Sequence, residues 1–120
     1  MTPTCCIVGA GAAGIAAARG LQLAKLPFAW FQREPGIGGN WRAGVYDSTC
    51  LISSRNTSGF QDLPMPAGWP NFPRREQVLE YLRMYAERFG LAERVTLGVA
   101  VEQVRPRGPG RAHRLGRPAV

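Results

Sequence analysis

Three glycines that directly follow a short apolar run constrain the fold of this chain more than any other feature. The apolar run is Cys5 to Val8, and the glycines stand at positions 9, 11 and 14 in the pattern G-x-G-x-x-G. An Ala-rich stretch with helical spacing covers residues 12–25, and Pro27 ends it. A second apolar run, Phe28 to Phe31, comes next. Strand, helix and strand within about 30 residues predict a βαβ unit with parallel strands.

The spacing of the three glycines has a physical reason in this context. Gly9 permits a tight turn, Gly11 allows a diphosphate to approach the backbone, and Gly14 lets the helix lie close to the strand. The first turn of the helix, which includes Ala12 and Ala13, offers unpaired N–H groups and a partial positive charge to the phosphates. We therefore predict that this turn binds a dinucleotide.

The residue expected to contact the ribose departs from the usual pattern. An acid about 20 residues beyond the glycines normally bonds the ribose hydroxyls. This chain has Gln32 at that place, directly after the second apolar run. Gln can still pair with a hydroxyl, but a neutral amide is a weaker partner than a carboxylate. Glu34 is close but is expected to lie beyond the end of the strand, so we predict a weakened ribose contact.

The rest of the chain up to residue 104 contains a loop-rich segment, a helix and a strand. Residues 34–73 are so dense in Gly and Pro that no long regular element is expected, and we interpret them as loops folded over a ligand. Apolar residues at helical spacing predict a helix over residues 76–89, which Gly90 ends. Alternation over residues 95–104 predicts a third strand, kinked at Gly98.

A second glycine turn, G-I-G-G-N-W-R over residues 36–42, indicates which dinucleotide is bound. At this distance from the first motif, a glycine turn that carries an indole favours a loop at the flavin end of FAD. Together with Phe31-Gln32-Arg33, this second glycine turn resembles the F-E-R…G-G-x-W run of flavin-containing monooxygenases. The likeness continues through residues 45–48, 60–66, 69–73 and 77–82, and spans about residues 4–104. Baeyer–Villiger monooxygenases share the first two motifs but continue with a W-Y…R-C-D run that is not seen here, and they are the alternative.

The resemblance implies an α/β fold: a Rossmann-like, FAD-binding segment over residues 1–104, with an incomplete parallel sheet and a long Gly/Pro-rich loop segment. Catalytic residues stay unassigned. Ile52 takes the place of an Asn that lies near the oxygen-reacting face of the flavin in many members, and Arg55 aligns with a basic residue. The implied FAD contacts run from the diphosphate to the ribose, the flavin border and the adenine: Gly9, Gly11, Ala12, Ala13 and Gly14; Gln32 and Arg33; Gly39, Trp41 and Arg42; and the backbone of Val101.

The family's reaction sets the expected partners. NADPH reduces FAD, and the reduced flavin uses O₂ to oxygenate a small-molecule nucleophile such as an amine or a sulfide. The family's NADPH site lies on a second glycine fingerprint well beyond residue 120, so it is absent from this chain. We interpret the chain as the N-terminal FAD-binding part of such an enzyme, in truncated form. The alternative is a non-catalytic remnant that binds flavin weakly or not at all.

Charge and composition exclude several other classes of function. Residues 1–104 carry ten Lys/Arg against all eight acids, whereas residues 105–120 carry five Arg and no acid. We predict that residues 105–120 form a disordered basic tail. The near-balanced charge of residues 1–104 offers no patch for nucleic acid, so a nucleic-acid partner is not expected.

Three cysteines and the lone His113 lack the spacing of a metal site. The chain has neither a secretory signal nor a long apolar run, so we predict no membrane segment and a cytoplasmic location.

Overall fold

Two parallel strands joined by a helix form the first part of the chain. The computed structural model describes residues 3, 5–44, 49–51, 53–107 and 112–115. Strand β1 (Cys5–Val8), helix α1 (Ala12–Leu23) and strand β2 (Phe28–Gln32) follow in order. The two strands pair in parallel from Cys5 opposite Phe28 to Val8 opposite Phe31. This confirms the predicted βαβ unit and the Rossmann-like α/β fold.

The third strand is shorter than predicted. Strand β3 (Thr96–Leu97) pairs in parallel with the end of β2, which gives the sheet order β1-β2-β3. It ends at Gly98, whose φ of +73° turns the chain out of the extended conformation. The backbone nevertheless stays beside β2, because the Val99 N–H donates to the Gln32 carbonyl at 3.0 Å. A third strand and its interruption at Gly98 are therefore confirmed, but the predicted length over residues 95–104 is wrong.

The Gly/Pro-rich segment contains only short regular elements among its described residues, as predicted. Helices α2 (Asn40–Ala43) and α3 (Arg55–Ser58) have four residues each. Residues 45–48 and 52 lie outside the described residues. The segment leads into α4 (Arg75–Arg88), which matches the predicted helix over residues 76–89.

The core lies between the sheet, α1 and α4. Its largest fully buried side chains come from β2, α1, α4 and the segments directly before and after α4. On α4, the Tyr85 ring packs 4.3 Å from the ring of Phe60, which joins the loop segment to the helix. On β2, the buried Trp30 indole donates from Nε1 to the Gly9 carbonyl at 2.8 Å. The core residue Trp30 therefore fixes the start of the first glycine turn.

A charged network links α1, the loop segment and α4. Arg19 donates to Asp62 at 2.9 Å, and the Tyr85 hydroxyl donates to the other oxygen of the same carboxylate at 2.8 Å. The hydrogen bond from Arg19, followed by the one from Tyr85, lowers the pKa of Asp62. Burial, followed by the bond to Asp62, raises the pKa of Tyr85 to about 12. The network holds the loop segment against both helices.

The C-terminal segment contains a two-stranded antiparallel hairpin. Strands β4 (Val104–Arg107) and β5 (Ala112–Leu115) pair from Val104 opposite Leu115 to Arg107 opposite Ala112. Residues 108–111 and 116–120 lie outside the described residues. The domain boundary at residue 104 and the disorder of residues 105–120 stay predictions, although strands stand where the sequence predicted none. None of the helices in the described part of the chain has the length and apolar character that a membrane crossing requires.

Candidate functional site

The first glycine turn joins the end of β1 to the start of α1. Gly9 has a φ of +99°, a conformation that L-residues with a side chain rarely adopt. Its N–H donates to the Phe31 carbonyl at 2.8 Å, which holds the turn beside β2. A Cβ on Gly14 would lie 2.1 Å from the Gly9 carbonyl oxygen. Gly14 therefore allows α1 to approach the strand, the role predicted from the sequence.

The N-terminus of α1 is open to a ligand. The first helical hydrogen bond runs from the Ile15 N–H to the Gly11 carbonyl at 3.0 Å. The N–H groups of Ala12, Ala13 and Gly14 precede it, and so have no acceptor within the helix. Gly11 has no side chain to cap them, and no other described residue accepts from them. These three N–H groups, at the positive end of the helix dipole, can bind an anion.

The second glycine turn packs directly against the first. The Gly38 N–H donates to the Ala10 carbonyl at 2.8 Å. A Cβ on Gly39 would lie 2.8 Å from the Cα of Gly11, closer than a side chain can approach a backbone atom. Gly39 also has a φ of +57°, and α2 begins at the next residue. The contact between the two turns therefore requires that Gly39 has no side chain, whereas a Cβ on Gly11 would lie at an ordinary 3.5 Å from the Cα of Gly39.

Two adjoining clefts open where these turns meet. The first, of about 400 Å³, lies at the N-terminus of α1, and we name it the diphosphate cleft. The second, of about 320 Å³, lies at the end of β2, and we name it the ribose cleft. Gly39 and Asn40 line both clefts. Val8, Gly9, Gly11, Ala12, Ala13, Gly14, Gly38 and Trp41 also line the diphosphate cleft, and Gln32, Arg33, Glu34 and Gly44 also line the ribose cleft.

Gln32 occupies the place predicted for the ribose-binding side chain. It is only 7% exposed, and its Nε2 donates to the Gly36 carbonyl at a long 3.4 Å. Its Oε1 accepts no hydrogen bond from the described residues, so the oxygen is available to a hydroxyl donor at the wall of the ribose cleft. The Gln32 side chain is held in position by packing and presents a neutral acceptor rather than a carboxylate.

Charged side chains surround the ribose cleft. One Glu34 oxygen lies 3.7 Å from Arg33 Nε, and the other lies 3.9 Å from Arg42 Nη1. Both distances exceed ordinary hydrogen-bond length, so these ion pairs are loose. Arg75 donates to the Arg42 carbonyl, which joins α4 to the residue after Trp41. The cleft thus has two guanidinium groups and one carboxylate at its border.

The structure brings most of the predicted contact residues together. Those of the first glycine turn, with Gly39 and Trp41, line the diphosphate cleft, whereas Gln32 and Arg33 line the ribose cleft. Arg42 lies at the border of the ribose cleft, where its Nη1 is 3.9 Å from a carboxylate oxygen of the lining residue Glu34. Val101 lines neither cleft. Ile52 lies outside the described residues. Arg55 donates to the Trp69 carbonyl at 2.8 Å and holds the loop segment.

The sequence prediction missed the role of Asn40. This residue lines both clefts, at the start of α2. Its position between Gly39 and Trp41 was the available signal, because a polar residue inside a ligand-contacting turn is a candidate contact. Glu34 lies beyond the end of β2, as predicted, and it also lines the ribose cleft.

A comparison with protein families identifies the group to which these features belong. The model of a family described as flavin-binding monooxygenase-like matches residues 3–111. The chain belongs to this flavin-binding monooxygenase-like family. The first motif, the second glycine turn and the βαβ unit all lie within the matched range.

Individual relatives agree with the family assignment. The chain is 36% identical over 110 residues to flavin-containing monooxygenase 5 of Oryctolagus cuniculus, which covers 84% of this chain and 21% of the relative. The S-allyl-L-cysteine S-oxygenase structure from Allium sativum has a TM-score of 0.78 at 28% identity and covers 84% of this chain and 29% of that one. A flavin-containing monooxygenase from Stenotrophomonas maltophilia has a TM-score of 0.77 at 28% identity and covers 94% and 36%. The chain spans about a fifth of the length of the curated relative.

The residues present fit the diphosphate of a flavin dinucleotide. The N–H groups of the first turn of α1 face a cleft whose walls are largely backbone. At Gly11 a Cβ would meet only Gly39, at 3.5 Å, so the side of this residue toward the cleft is clear of protein atoms. A negatively charged group can therefore approach the backbone at this point.

Proposed function

We propose that this chain is the N-terminal FAD-binding part of an NADPH-dependent monooxygenase that oxygenates amines, sulfides or similar nucleophiles. The observation that carries the proposal is the set of three uncapped N–H groups at the start of α1, where residues of both glycine turns line one cleft. Members of the family are flavin-binding monooxygenases, and the names of both the rabbit and the garlic protein describe oxygenation.

Each part of the site has a role in this proposal. The N–H groups of Ala12, Ala13 and Gly14 bind the FAD diphosphate, and Oε1 of Gln32 accepts a hydrogen bond from a ribose hydroxyl. Trp41 borders the flavin end, and the backbone of Val101 contacts the adenine. The bound flavin supplies the electron-transfer and O₂ chemistry, whereas the protein binds and orients it.

The name of one relative supports the proposed substrate class. The garlic protein is named as an S-oxygenase, which supports a sulfur nucleophile as one substrate class. NADPH and O₂ are the proposed co-substrates. The proposed NADPH site lies outside these 120 residues, so the chain alone is expected to bind FAD without oxidising NADPH.

A flavin titration tests the proposal. Purified chain is titrated with FAD, and binding is followed by the change in flavin fluorescence. The Gly11→Ala variant is expected to keep its fold, because Gly11 has an ordinary φ of −82° and a Cβ there would have no contact closer than 3.5 Å. The same methyl group obstructs the approach of the diphosphate, so FAD affinity should fall at least about tenfold, or roughly 1.4 kcal/mol.

Gly20→Ala is the matched control for this titration. It adds the same methyl group to the same helix, at a position with no atom within 4 Å and outside the lining of both clefts. This variant should bind FAD as tightly as the wild type. Equal affinity of the Gly11→Ala variant and the wild type would contradict the proposed site. A folded wild-type chain that binds no FAD would instead support the non-catalytic remnant.

The reaction class has a separate test. Conversion of a methyl sulfide to its sulfoxide by the chain joined to the remaining four-fifths of the rabbit relative's length would support the proposed class. Conversion of a ketone to an ester instead would favour the Baeyer–Villiger alternative.

A further inference from the structure

The ribose cleft lacks the negative charge that normally selects an unmodified ribose. In this fold a carboxylate at the end of the second strand accepts hydrogen bonds from the ribose hydroxyls, whereas a nearby Arg accommodates a ribose 2′-phosphate. Here the end of β2 carries the neutral Gln32, held 7% exposed at the wall of the cleft. No carboxylate at this position repels a phosphate on the ribose.

A cation is available at the same wall. Arg33 follows Gln32 and lines the ribose cleft, and its side chain is 76% exposed. Its one described ionic partner is Glu34, at 3.7 Å, a contact too long for a good hydrogen bond. A phosphate dianion offers Arg a bidentate, charge-assisted partner, which is stronger than this loose contact.

Glu34 is the one carboxylate among the described residues that line the ribose cleft, and its charge is offset. Its two oxygens face Arg33 and Arg42, at 3.7 and 3.9 Å. Two guanidinium groups therefore surround one carboxylate, so these three described side chains carry one excess positive charge. With Glu in place of Gln32, that excess would be cancelled.

We propose that the ribose cleft accepts an adenosine ribose that carries a 2′-phosphate, and that Gln32 and Arg33 together determine this preference. The proposal rests on the dinucleotide site proposed above and names a further ligand class for it. Nucleotides of this class compete with FAD for the diphosphate cleft. Gln32 permits the additional phosphate, and Arg33 binds it.

Two nucleotides that differ only in the 2′-phosphate test the proposal. Isothermal titration calorimetry measures the binding of ADP and of 2′-phospho-ADP to the wild-type chain and to Gln32→Glu. The wild type should bind 2′-phospho-ADP at least as tightly as ADP. A unit charge about 5 Å from a phosphate changes affinity by roughly tenfold in water-like surroundings, so Gln32→Glu should shift the ratio of the two affinities toward ADP by about that factor.

Two further variants separate this effect from general ones. Gln61→Glu adds the same charge at an exposed position outside the ribose cleft and should leave the affinity ratio unchanged. Arg33→Ala removes an exposed side chain, so the fold is expected to persist, and 2′-phospho-ADP should lose more affinity than ADP does. If Gln32→Glu fails to fold, the effect of Arg33→Ala on the ratio of the two affinities tests the proposal.

The outcomes distinguish this inference from the proposed function. If FAD and ADP bind but neither Gln32→Glu nor Arg33→Ala changes the affinity ratio more than twofold, the 2′-phosphate preference is wrong and the flavin site stands. If the wild type binds neither FAD nor ADP, the proposed function fails and the inference fails with it. A ratio that falls with both variants and not with Gln61→Glu supports the inference.

Discussion

Replacement of Gly14 by alanine tests the closest contact between helix α1 and strand β1. The added Cβ would lie 2.1 Å from the Gly9 carbonyl oxygen and 3.0 Å from the Gly9 carbonyl carbon. Both atoms belong to the backbone of a turn that is held to β2 by hydrogen bonds, so the helix itself must move. Overpacking of this kind costs about 1–3 kcal/mol, and the better helix propensity of Ala returns up to about 1 kcal/mol. The net loss should be about 1–2 kcal/mol.

Urea unfolding followed by far-UV circular dichroism measures this loss. A small domain has a urea dependence of about 1 kcal/mol per molar, so the midpoint should fall by about 1–2 M. Gly20→Ala in the same helix is the control, because nothing lies within 4 Å of its Cβ. It should raise stability by about 0.5–1 kcal/mol. A Gly14→Ala midpoint at or above that of the wild type, or shifts of the same sign in both variants, would show that Gly14 does not set the distance between α1 and β1.

Three further predictions concern the charged network and the second glycine turn. The hydrogen bond from Arg19 lowers the pKa of Asp62 from 3.8, so this bond contributes stability that is present above pH 3.8 and lost as the pH falls. In urea titrations at several pH values, the free energy of unfolding of Asp62→Asn should therefore decrease less at acidic pH than that of the wild type. Burial raises the pKa of Tyr85 from 10.0 to about 12, so the neutral hydroxyl contributes stability that is present below pH 10 and lost as the pH rises toward 12. Tyr85→Phe should remove this loss of stability at alkaline pH. The same pH dependence of stability in Tyr85→Phe and the wild type would contradict a role of Tyr85. Gly39→Ala combines a φ of +57° with a Cβ 2.8 Å from Gly11, so its unfolding free energy should fall by roughly 1–3 kcal/mol, and unaltered stability would be inconsistent with the described turn.

The elements that the sequence predicted well are those whose apolar spacing is local. The strand before Gly9, the helix after it, and the strand from Phe28 all follow from runs of adjacent residues, and so does helix α4. The role of Gly14 followed from its spacing alone. In each case the pattern within one element is sufficient, because the element has to bury one face.

The features that the sequence did not predict depend on contacts between distant residues. The contact of Gly39 with Gly11 joins positions 28 residues apart, and no local pattern reports it. The presence of Asn40 in both clefts is a consequence of that contact. The third strand was predicted too long because the alternation of apolar residues continues past Gly98, whereas the positive φ of this glycine ends the strand.

The most direct measurement is the change in backbone amide signals when ADP is added to ¹⁵N-labelled chain. The largest shifts should come from the amides of Ala12, Ala13 and Gly14, with smaller shifts at Gly39 and Asn40, because the diphosphate is proposed to bind at the N-terminus of α1. Saturable shifts confined to other parts of the chain, with the signals of these three amides unchanged, would show that this glycine turn is not the dinucleotide site.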